Sequence, residues 1–105
     1  MIKTSLMYCI YDSPKSISML IPKKRGHGYL KRPVGHHANK LSLFIDDLGL
    51  DCVGIDGYLH IVLGRRKIDP MEIIEKIANF LDVQCEQISH NELFDIIDSM
   101  NITSW

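Results

Sequence analysis

Long apolar runs are missing from this chain: none approaches the roughly 18 residues that cross a bilayer as a helix. Pairs of metal ligands at close spacing are missing too. Cys9, Cys52 and Cys85 stand far apart, and the five histidines contain no H-x₃₋₅-H arrangement. Gly26-His27-Gly28 and Gly35 fit neither the dinucleotide-binding nor the P-loop glycine spacing. There is no serine elbow and no signature joining a cysteine to a histidine. These absences argue against a membrane span, a structural zinc and the common nucleotide folds, and no cofactor or metal is expected. Three cysteines are an odd set, which suits free thiols better than a disulfide framework. The N-terminal MIKTSLMYCIYD alternates polar and apolar residues where a secretory signal would be continuously apolar, so the expected location is cytoplasmic.

What the chain does have is an uneven distribution of charge. Its 105 residues carry a net charge of −1. Residues 1–45 hold eight Lys/Arg against one acid, +7, and residues 46–105 hold four against twelve, −8. The cations concentrate in KKRGHGYLKRPVGHHANK, residues 23–40, which also contains three of the histidines and no carboxylate. Such a polarity speaks to partners and association rather than to fold.

Apolar periodicity divides the chain into elements. Ile2, Thr4, Leu6, Tyr8 and Ile10 alternate with Lys3, Ser5, Met7, Cys9 and Tyr11, as in a strand. The four-residue turn Asp12–Lys15 and a second strand over Ser16–Ile21 complete a hairpin, which Pro22 stops. Glycine and proline then punctuate a long basic loop, residues 23–38, whose Tyr29, Leu30 and Val34 are placed to pin it to the body. Leu41, Phe44, Ile45 and Leu48 share one helical stripe, with Asn39 as the cap and Gly49 as the left-handed stop. Asp46 and Asp47 fall in its last turn, where the helix dipole disfavours anions unless a cation stands near.

Asp56-Gly57 is the strongest hairpin signal, because a type I′ turn needs two positive-φ residues. In that hairpin Leu59, Ile61 and Leu63 form the face expected to meet the helices. Asp69-Pro70-Met71-Glu72 starts a helix with an N-cap, a proline at N1 and a glutamate at N3; Ile73, Ile74, Ile77, Ala78 and Leu81 are its buried stripe. Val83–Ile88 is a weak short strand. Ser89-His90-Asn91-Glu92 repeats the capping-box pattern before a last helix whose apolar stripe is Leu93, Ile96, Ile97 and Met100. The expected architecture is α+β: a single domain over residues 1–105, with an antiparallel sheet built from two hairpins and three helices packed mainly on one face.

Two functional readings compete. Asp46, Asp47 and Asp51, with Glu92, Asp95 and Asp98, form anionic groups that suit a cationic protein partner. A small, motif-free α+β chain of this kind fits a protein-binding inhibitor, an immunity protein or antitoxin that occludes a basic, nuclease-type toxin. The alternative uses the basic loop. Lys23, Lys24, Arg25, Lys31 and Arg32 would contact phosphates and Tyr29 would stack on a base. In a small metal-free ribonuclease, His36 or His37 would move the proton while lysine and arginine hold the phosphorane charge; His27 and His60 are the other histidines worth testing. A third reading is an oligomer whose protomers pair basic loop with acidic helix.

Overall fold

Both hairpins form where the sequence places them, and a fifth strand joins them into one sheet. The computed structural model describes residues 4–12, 14–24, 27–31, 40–55 and 57–102. β1 (Leu6–Asp12) pairs antiparallel with β2 (Lys15–Leu20), and β3 (Asp51–Ile55) pairs antiparallel with β4 (Tyr58–Val62). β2 joins the two hairpins by pairing antiparallel with β4. β5 (Cys85–Gln87) then runs parallel to β1, giving the order β3-β4-β2-β1-β5.

The sheet is therefore mixed, which corrects the antiparallel expectation. The reason is direction: α2 (Pro70–Leu81) carries the chain back along the sheet, so the next strand must run the way β1 runs. The first turn is also tighter than expected. Asp12 pairs with Lys15, leaving two residues between the strands in place of four.

Helix placement sharpens the expectation of helices mainly on one face: two lie there and the third does not. α1 (Lys40–Asp47) and α2 pack on one face over Leu6, Tyr8, Ile17, Met19, Leu59, Ile61 and Leu63, so the predicted aliphatic face of β4 is the one they cover. α3 (His90–Ile102) lies on the opposite face, where Leu93 and Ile97 bury Cys9 and Leu20. β1 is apolar on both sides, Leu6 and Tyr8 toward one cluster and Met7 and Cys9 toward the other, so helices on one face alone would leave half of it in water.

The caps follow local chemistry. Asp69 accepts from Met71 N at 3.1 Å with Pro70 at the helix start. Gly49 takes φ +74°, with its N–H donating to Asp46 O and that of Leu50 to Ile45 O, a Schellman closure of α1. The Arg66 guanidinium donates to the Gly49 carbonyl, putting a cation at the helix end that Asp46 and Asp47 burden. Asn39 and Val34 lie outside the described residues. The start of the basic segment is folded back rather than loose: Pro22 bridges Tyr29, Lys23 N donates to Gly28 O, and Leu30 N donates to Ile21 O.

Candidate partner-binding surface

Helix α3 is capped by Ser89, whose Oγ accepts from Glu92 N at 3.2 Å and donates to Glu92 Oε1 at 3.3 Å. Leu93 and Ile97 turn into the second core, which fixes the rotation of the helix. Asp95 and Asp98 are then exposed. Phe94 lies beside that anchored stripe and is 42 % exposed, with its ring edge-on to Tyr58 at 5.8 Å. An aromatic side chain thus stands half out of the fold beside two carboxylates. Glu92 is partly engaged by its own helix cap; Asp95 and Asp98 form no ion pair with a described lysine or arginine.

The six acidic candidates do not come together. Asp46 and Asp47 end α1 on one face of the sheet, Asp51 opens β3, and Glu92, Asp95 and Asp98 lie on α3 across the opposite face. Asp46 and Asp51 do share a corner: after burial, their charges are what push the Cys52 thiol above its ordinary range. Arg66 reaches that same corner through Gly49. The α3 carboxylates have no comparable cation among the described residues.

Of the basic candidates, Lys23, Lys24 and Lys31 are exposed, as is His27. Tyr29 is half-buried in the second core, and burial raises its phenol, with Glu86 adding to the effect. Its ring packs against the protein instead of standing free as a stacking platform. Arg25, Arg32, His36 and His37 lie outside the described residues.

One polar cluster was hidden in the strand pattern. Sheet register sets Ser18 opposite His60 and Cys9 opposite Ser18, on the α3 side. Ser18 Oγ lies 2.9 Å from His60 Nδ1 and donates to Tyr11 Oη at 3.4 Å; Cys9 Sγ donates to the same oxygen at 3.8 Å. His90 stacks on Tyr11 at 4.3 Å. A serine beside a histidine suggests a nucleophile, but Ser18 is 1 % exposed, roofed by Tyr11 and His60. No substrate carbonyl reaches its hydroxyl, and burial pushes the Cys9 thiol up, away from the reactive thiolate. The cluster satisfies polar groups inside the sheet.

Among the described residues no group of three His, Cys, Asp or Glu side chains is arranged to hold a metal, and no helix is long and apolar enough to cross a membrane. The three thiols are free, Cys9 buried and the other two half-buried. No protein-family model, curated protein or solved structure matches this chain.

Proposed function

We propose that this chain is a protein-binding inhibitor of the immunity-protein or antitoxin kind, which docks α3 into the cationic active-site cleft of a nuclease-type toxin and occludes it. The observation that carries this reading is Phe94, half-exposed beside the carboxylates of Asp95 and Asp98, which no described lysine or arginine pairs. An aromatic anchor with a charged rim is the composition that concentrates binding energy in protein interfaces. The carboxylates would steer the encounter and set its register, and the buried ring would slow dissociation. Ser18, buried beneath Tyr11 and His60, lends no support to a hydrolytic role.

The test is co-purification from the source cell, followed by reconstitution. The wild-type chain is expected to retain a cationic protein that is toxic or nucleolytic alone and silent in the complex. Asp95→Lys/Asp98→Lys is expected to lose it. Recovery of RNA in its place, abolished by Lys23→Ala/Lys24→Ala and by salt, would support the basic loop as the binding element and sink this proposal.

A further inference from the structure

β5 ends the sheet, with β1 on one side of it and no described strand on the other. The parallel ladder fixes which of its backbone groups face outward. Leu6 N donates to Gln84 O, and Ile88 N donates to Tyr8 O. The groups turned toward β1 therefore belong to residues 84, 86 and 88, and the N–H and C=O of Cys85 and Gln87 point away from the sheet. Beside that edge is a cavity of about 440 Å³, lined by Glu75, Ala78 and Asn79 of α2 and by Val83, Gln84 and Cys85. Its size suits a small ligand or an inserted side chain. Cys85 packs against the core that α1 and α2 cover, so its side chain lies on the cavity's side of the sheet. Burial raises the Tyr8 phenol, and Cys85 and Glu75 add to the effect, which sets thiol and carboxylate around one buried hydroxyl. Glu75 is exposed and forms no ion pair with a described lysine or arginine; Lys76, the next residue along α2, is engaged with Glu72 at 3.3 Å.

We propose that this edge takes an extended segment of another protein, which adds as a sixth strand beside β5 and places a lysine or arginine side chain in the cavity against Glu75. The backbone groups of Cys85 and Gln87 bond the added strand, and the cavity reads one of its side chains.

Register and chemistry select that occupant together. Residues opposite each other in a sheet send their side chains to the same face, so whatever sits beside Cys85 points to the α2 side, where the cavity is. A free cation would meet the carboxylate but leave the outward backbone groups of Cys85 and Gln87 to water. A strand with an apolar residue at that position would bond the edge but cover Glu75 with no partner, which costs more than it returns. A strand with a cation there satisfies both. Pairing with β5 of a second copy supplies no such cation, because the strand reads CEQ. Asn79 and Gln84, the other polar side chains of the lining, are uncharged and complete the cation's hydrogen bonds. None of the α3 residues is used, so the inference stands apart from the inhibitor reading.

The test titrates the isotope-labelled chain with a capped heptapeptide of alternating threonine and valine around a central arginine. The amides of Cys85 and Gln87 are expected to shift. In a Cys52→Ser background, alkylation of the half-buried Cys85 thiol should slow as the peptide binds. Glu75→Gln, at an exposed site, should leave the thermal melt unchanged and raise the peptide's dissociation constant about tenfold. Glutamate in place of the peptide's arginine should abolish binding. N-methylation of alternate peptide amides should abolish binding in one register and spare it in the other, because only one edge of the added strand faces β5. Equal tolerance of both methylated peptides, or free arginine binding as tightly as the peptide, overturns the added strand and leaves a site for a small cation. Peptide binding indifferent to Glu75→Gln overturns the cavity as the seat of the basic side chain. No shift at Cys85 and Gln87 at any soluble peptide concentration overturns the proposal altogether.

Discussion

Gly57 lies beneath Ile97: a Cβ on the glycine would stand 3.0 Å from Ile97 Cγ2 and 3.3 Å from Cγ1. The glycine is needed twice, once because its φ is +95° and once because α3 rests on the turn. Gly57→Ala should therefore cost about 1–3 kcal/mol, more than positive φ alone explains. Ile97→Ala in the same chain removes the clash, so the double variant should lose less than the two single losses combined. A denaturant-titration cycle that proves additive would show that the turn and helix do not press on each other.

Alkaline pH should unfold the protein earlier than an ordinary domain. Burial is the leading cause that raises the phenols of Tyr8, Tyr11 and Tyr29 above their usual 10.0, and the thiols of Cys9 and Cys52 above their usual 9.0. A group whose folded value is raised gives stability that is fully present below its unfolded value and is lost as pH climbs through the folded one. The denaturant midpoint should thus be flat from neutrality to about pH 9 and fall steadily above it. Tyr11→Phe should shallow that fall, and an unchanged slope would remove Tyr11 from the account.

How much of this was legible in the sequence depends on how far each determinant reaches along the chain. Asp69-Pro70, Gly57 and Gly49 act on their immediate neighbours, and each marks the boundary that it was expected to mark; Asp56 lies outside the described residues. The face taken by α3 and the direction of β5 depend on which strands become neighbours, which periodicity does not encode. A clue was nonetheless present: Met7, Cys9 and Tyr11 make the second side of β1 apolar, and a strand apolar on both sides asks for cover on both. Phe94 escaped because it sits beside the Leu93–Ile97 stripe instead of on it. The Ser18–His60 contact escaped because it needs the register between β2 and β4, residues 42 positions apart.

The two helix starts differ in what supports them, and that can be measured. Asp69 caps α2 directly, so Asp69→Ala should cost about 1 kcal/mol. Lys76 and Glu72, 3.3 Å apart on the exposed side of the same helix, should matter little: Lys76→Ala is expected to change stability by less than about 0.5 kcal/mol. Thermal melts that reversed this order would mean that the surface pair, and not the cap, holds the first turns of α2.

Neighbouring residues on α3 should separate stability from binding. Leu93 is wholly buried against Cys9 and Leu20, so Leu93→Ala should cost about 2–5 kcal/mol of folding free energy. Phe94 already leaves 42 % of its surface in water and meets Tyr58 edge-on, so Phe94→Ala should cost about 1 kcal/mol, well below the loss at Leu93. Affinity for the partner should rank the other way. Phe94→Ala should weaken the complex by about 2 kcal/mol or more, near thirtyfold, through faster dissociation. Asp98→Asn should act mainly on the association rate, with an effect that shrinks as salt rises. Calorimetry and stopped-flow on the purified complex distinguish these cases. If Phe94→Ala left affinity intact while Leu93→Ala destroyed it only by unfolding the chain, α3 would be a structural helix and the docking surface would lie elsewhere.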